Sequence, residues 1–197
     1  MKKGTLNFKS MIMIVIMVLL VLSYYYYLSN KNNDTKEEED ISISAAQEIL
    51  LKDYERSYPP TPKEVLKDYL EITKVLHNDE LTDEEISELA DKIKTLYDEE
   101  FIANKTDENY LTDLKSEIAT FRDNDYSITN YYTSASTDVE YYSMDGYDFA
   151  RLFATYSIRA GKELQTTQSA FLLRRDGDGH WKIYGWMPAE NLEGNDE

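Results

Sequence analysis

Two rhythms of apolar residues divide the chain. Between residues 61 and 121 apolar positions recur every three or four residues, the spacing of one helix face. From Tyr126 onward they alternate, the spacing of a half-buried strand. The helical part carries its own start signals. Thr61, Pro62 and Glu64 open a helix whose stripe is Val65, Leu66, Tyr69, Ile72 and Leu76. Thr82 with Glu85 repeats the capping device before Ile86, Leu89, Ile93, Leu96 and Tyr97. Asp107 opens a third helix, striped by Tyr110, Leu111, Leu114, Ile118 and Phe121. A shorter element precedes them: Ser44 and Gln47 form a capping box ahead of Ala46, Ile49, Leu50 and Tyr54, and the proline-rich Tyr58–Pro62 stops it.

The alternating part predicts strands over 127–136, 139–145, 147–160, 163–175 and 180–187, with turns at Asp145-Gly146 and Ala160-Gly161-Lys162. The last two read FLLRRDGDGHWKIYGW. A two-residue turn at Gly177-Asp178 sets Arg174 opposite Trp181, Leu172 opposite Ile183 and Phe171 opposite Tyr184. One face then carries Ala170, Leu172, Trp181, Ile183 and Met187 toward the helices. The other carries Phe171, Leu173, Tyr184 and Trp186, with Phe149 and Phe153 from the longer strand, away from them. Helices first and antiparallel strands after predict an α+β domain with three helices on one side of a curved sheet.

Ahead of this domain, residues 11–28 carry no charge, and the run ends in Tyr24, Tyr25, Tyr26 and Tyr27, rings suited to a headgroup layer. No small-residue cleavage pattern follows, so the run predicts an uncleaved transmembrane signal anchor rather than a signal peptide. Lys2, Lys3 and Lys9 precede it and an acidic stretch follows, which places the N-terminus in the cytoplasm and the rest outside the cell membrane. The expected organisation is therefore an anchor over 1–28, an acidic polar linker over 29–43, an extracytoplasmic domain over 44–190 and an acidic tail over 191–197.

Composition removes several chemistries. The chain has no cysteine, which excludes disulfides, thiolate catalysis and zinc–thiolate sites. Its net charge of −17 repels nucleic acid. His77 and His180 are the two histidines and lack metal-ligand spacing. Asp176-Gly177-Asp178-Gly179 lacks the third acid and the later glutamate of a calcium loop, and reads as a turn. Neither a metal nor a cofactor is expected. Arg174 and Arg175 read as strand-end charges that pair with Asp176 and Asp178.

The three helices, the long antiparallel strands and the closing FLLRRDGDGHWKIYGW resemble the nuclear-transport-factor-2-like (SnoaL-like) cone fold. The lysine-flanked run ending in tyrosines, with YPPTPKEVLKDYLEITK after it, resembles a family of bacterial single-pass membrane proteins without an assigned activity. The resemblance implies a pocket between helices and sheet, and often dimerisation through the sheet's outer face, but no particular activity. Acid–base chemistry in such a pocket would be similar to that of ketosteroid isomerases, with Tyr69, Tyr97, Tyr132, Asp148 and Tyr156 as its candidates. The outer face offers Phe149, Phe153, Phe171, Tyr184 and Trp186 to a second copy or to an envelope protein. The expectation is a membrane-anchored, non-catalytic binding or scaffolding domain. The alternative is a small-molecule enzyme or ligand carrier using the pocket. A deep pocket holding a carboxylate would favour the latter, and an exposed apolar face the former.

Overall fold

The computed structural model divides the chain into two units, Met1–Ser42 and Ile43–Glu197. It describes residues 22–24, 43–103 and 106–190. In the first unit these are Leu22–Tyr24, which are helical. The remainder of the expected anchor, the linker up to residue 42 and the tail over 191–197 lie outside the described residues. The expected fold is corrected on this point: among the described residues no helix is long and apolar enough to cross a membrane.

In the second unit the described residues form an α+β domain. Its helices are α1 (Ala45–Leu50), α2 (Pro62–Asn78), α3 (Asp83–Lys94), α4 (Glu99–Ile102) and α5 (Asp107–Asp123). Its strands are β1 (Tyr126–Thr133), β2 (Glu140–Met144), β3 (Tyr147–Ala160), β4 (Glu163–Arg175) and β5 (Trp181–Pro188). The caps explain the helix starts. Thr61 and Thr82 each accept the backbone N–H three residues on, as does Ser44, and Thr106 rather than Asp107 caps α5. Helix α4 was not foreseen. Asp98 caps this single turn, which follows α3 too closely to show a period of its own.

All strand pairs are antiparallel, in the order β1-β3-β4-β5. β3 is long enough to take two neighbours on one edge: β2 pairs with its first residues and β1 with its last. The helices cover one face of the sheet. Val65, Leu66, Leu70 and Ile72 of α2 and Leu89 of α3 are fully buried with Ala150 and Leu152 of β3, Leu173 of β4 and Ile183 of β5. Two backbone hydrogen bonds tie the helix layer to the sheet edge. Ile183 N–H donates to the Leu96 carbonyl at 2.8 Å, and Asp98 N–H donates to the Ile183 carbonyl at 2.9 Å.

The register of the final hairpin differs from the expected one. Asp176 and His180 close a loop in which the Gly179 N–H donates to the Asp176 carbonyl, and Gly179 sits at φ +86°, in the left-handed region. That is a three-residue connection, a turn followed by a left-handed glycine, not the two-residue turn read from the sequence. The extra residue moves the pairing by one, to Arg175–Trp181 and Leu173–Ile183. A one-residue shift exchanges the faces of β4. Leu173 and Phe171 therefore point to the helices, and Leu172 and Ala170 point away. An irregularity opposite Leu172/Leu173 shifts β5 once more, so that Trp186 pairs with Phe171.

Candidate functional site

A cavity of about 330 Å³ opens between the helix layer and the sheet, within the size range of small-ligand pockets. Helix α2 contributes Tyr69, Thr73 and His77, spaced four apart so that they line one face. Helix α5 contributes Tyr110, Asp113, Glu117 and Phe121, at steps of three and four that also share one face. Tyr97 and Phe101 come from the α3–α4 connection and from α4. Tyr156, Ser169, Phe171 and Trp186 form the sheet wall.

The walls are aromatic. Trp186 stacks on Phe171 and on Tyr97, with ring centroids 5.7 and 6.1 Å apart, and lies tilted against Phe101 at 5.0 Å and Tyr69 at 5.7 Å. Within this apolar shell runs a set of hydroxyls, in which Tyr69 interacts with Tyr97 and Thr73, Tyr97 with Tyr110, and Tyr156 with Thr73. Burial pushes the hydroxyls of Tyr69, Tyr97 and Tyr156 well above the ordinary phenol value, so they stay neutral and able both to donate and to accept. The Thr73 hydroxyl itself donates to the Tyr69 carbonyl at 2.8 Å.

His77 is 6% exposed. Its Nδ1 lies 2.7 Å from the Thr73 carbonyl oxygen, which can only accept, so Nδ1 carries a proton. Nε2 then faces Glu117, 3.3 Å from its Oε1, and Phe121 packs edge-on against the ring at 4.8 Å. His77, in the last turn of α2, is a wall of the cavity. Its signal in the sequence is the four-residue spacing of Tyr69, Thr73 and His77, matched on α5 by Tyr110, Asp113 and Glu117 at steps of three and four.

A second cluster stands next in the chain to two of the cavity's aromatic residues. The Asp98 carboxylate, 3% exposed, accepts from Arg174 Nε at 2.9 Å and Nη2 at 2.6 Å, and from the Glu100 backbone N–H at 2.9 Å. Arg174 Nη1 reaches Glu100 at 2.8 Å, and the guanidinium lies over the rings of Tyr147 and Tyr184. Arg174 thus pairs with Asp98 and Glu100, not with the turn aspartates. Arg175 Nε donates to the Gly179 carbonyl and its head lies over Trp181. Because Asp98 follows Tyr97 and Phe101 belongs to α4, this pairing sets where both aromatic walls stand.

Of the five pocket candidates, the structure brings Tyr69, Tyr97 and Tyr156 together. Tyr132 is 59% exposed, and Asp148 accepts from the Ser143 hydroxyl at 2.7 Å on an exposed hairpin; neither lines the cavity. Of the outer-face candidates, Phe171 is buried against the helices and Trp186 stands in the cavity, for the register reason above. Phe149 is buried on the far face between Tyr142 and Tyr184, and Phe153 and Tyr184 are half-buried there. Asp176, Asp178 and His180 do gather, their ligand atoms within 4.8 Å of one another. Asp176 Oδ1, however, already accepts the N–H groups of Asp178 and His180 that shape the turn.

The sequence model of the family described as Domain of unknown function (DUF6715) matches residues 1–186. The chain belongs to this family. No curated protein matches it. The segment matched to DUF6715 contains every cavity residue named above and closes on Trp186.

Proposed function

We propose that this DUF6715 domain binds a small molecule in the cavity between its helices and its sheet, as a non-catalytic binding domain. One observation carries the reading: a ligand-sized space lined by aromatic rings on which a few polar groups converge. A cavity kept only for packing would be filled by aliphatic side chains, because empty space in a core is destabilising. Here hydroxyls and a tautomer-fixed histidine converge instead. Ring faces supply affinity, and neutral phenols supply hydrogen bonds that select among ligands.

Scaffolding through the outer face loses support, because Phe171 and Trp186 stand on the helix side. The resemblance to nuclear-transport-factor-2-like proteins supports a pocket at this place, and membership of that superfamily is part of the proposal. So is a location at the outer side of a cell membrane, which rests on the uncharged residues 11–28 and the lysines before them. Catalysis is the second reading, favoured by the His77–Glu117 pair in the cavity wall.

A screen of small fragments against the full chain, read by thermal shift and ligand-observed NMR, tests binding. Hits that are lost when Ser169→Phe fills the cavity support the proposal. Hits that survive it locate binding elsewhere.

A further inference from the structure

We infer that the ligand is a small organic cation, an amine or quaternary ammonium. This inference rests on the reading of the cavity as a ligand site.

The charges around the cavity are one-sided. Among the described residues, Asp113 and Glu117 line it and no lysine or arginine does. An anionic ligand would meet these two carboxylates. The remaining lining suits a positive charge. Tyr69, Tyr97, Tyr110, Phe101 and Trp186 gather their rings around the same space, and clusters of aromatic rings hold ammonium groups. Their hydroxyls do not ionise in the ordinary pH range, so the rings bind as dipoles and quadrupoles, and the net charge comes from the two acids. The protein's own ammonium shows the same preference for one of these rings. Lys94 Nζ lies 5.8 Å from the Tyr110 ring centroid, held there by Asp91 at 2.7 Å and Asp107 at 2.9 Å. A net charge of −17 adds a long-range field that draws cations toward the domain.

The test uses three probes of one shape on the full chain. They are choline, the neutral alcohol in which a tert-butyl group replaces its trimethylammonium, and the matching tert-butyl carboxylate. Affinities are read from the Trp186 indole N–H signal in a proton–nitrogen correlation spectrum. The expected order is cation, then neutral, then anion, with choline bound roughly tenfold or more tighter than the alcohol, the scale of a partly desolvated cation–π contact. Glu117→Gln combined with Asp113→Asn removes most of that selectivity, bringing the ratio of choline to alcohol affinity toward one, and a thermal melt confirms that the variant is folded. Equal or tighter binding of the alcohol overturns the cation inference and leaves the cavity reading standing. No response to any probe, with fragment hits confirmed in the cavity, overturns the cation inference alone. No response together with no cavity hits overturns both.

Discussion

Trp186 stacks on Phe171, ring centroids 5.7 Å and planes 24° apart, and both rings face the helices. The stacking exists because the final hairpin turns through three residues and β5 is then irregular opposite Leu172/Leu173. Each device moves the register by one residue, and together they bring a half-exposed indole into the cavity. Trp186→Ala removes contacts with four rings. Because the indole is 41% exposed, the expected stability loss is about 1–2 kcal/mol, below the 3–5 kcal/mol of a fully buried tryptophan. Binding of any cavity ligand falls much further. Urea melts beside fragment titrations separate the two effects.

Asp98 and Arg174 form the most buried ion pair among the described residues, 3% and 12% exposed at their side chains. Removing one partner of such a pair strands the other charge, so Asp98→Ala is expected to destabilise by about 3–5 kcal/mol. Asp98→Ala with Arg174→Met recovers much of this, which a double-mutant cycle by chemical denaturation reads directly. In Arg174→Met alone, Phe101 and Tyr97 lose their anchor, and the Trp186 indole signal shifts.

Helix starts were the most legible part of the sequence, and one of them gives a surface test. The Thr82 hydroxyl accepts the Glu85 N–H, while the Glu85 carboxylate accepts from Thr82. Thr82→Ala is expected to destabilise by about 1 kcal/mol. The Thr82 backbone N–H, first among its partners, holds the Glu85 carboxyl below its ordinary value. Its contribution is therefore present above the usual glutamate range and declines as pH falls through that lowered value. Thr82→Ala keeps that backbone N–H and loses only the hydroxyl's smaller share, so the acid sensitivity shrinks only in part, as acid titrations of both proteins would show.

The tyrosine hydroxyls of the cavity govern the alkaline limit. Burial holds Tyr69, Tyr97 and Tyr156 above the unfolded phenol value of 10.0. A folded-state pKa raised in this way leaves stability intact below about pH 10 and removes it as pH rises further. Above that point the unfolded chain binds fewer protons, at about 1.4 kcal/mol per pH unit for each such hydroxyl. The tyrosinate absorbance of the buried set is expected to rise together with loss of structure. A single smooth titration with structure retained contradicts this.

What the sequence disclosed follows from the range of its interactions. Capping boxes at Ser44 and Thr82 and the stripe of α2 are local, and period and cap chemistry show them. The three-residue turn at Asp176–His180 is local too, but two turn lengths suit the same DGDG, and the choice between them exchanges the faces of β4. The partnership of Asp98 with Arg174 is long-range and leaves no periodic trace. The cavity lies between these cases. Tyr69, Tyr97 and Tyr156 were recognisable as pocket residues, whereas Trp186 could be placed only once the register was known.

The central claim is that a small molecule binds between the helices and the sheet. Intermolecular nuclear Overhauser contacts from a bound fragment test it most directly. The account predicts contacts to the ring protons of Trp186, Tyr69 and His77 together, from three different elements. Contacts confined to the exposed tyrosines of β2, Tyr141 and Tyr142, with none to these three, would contradict it.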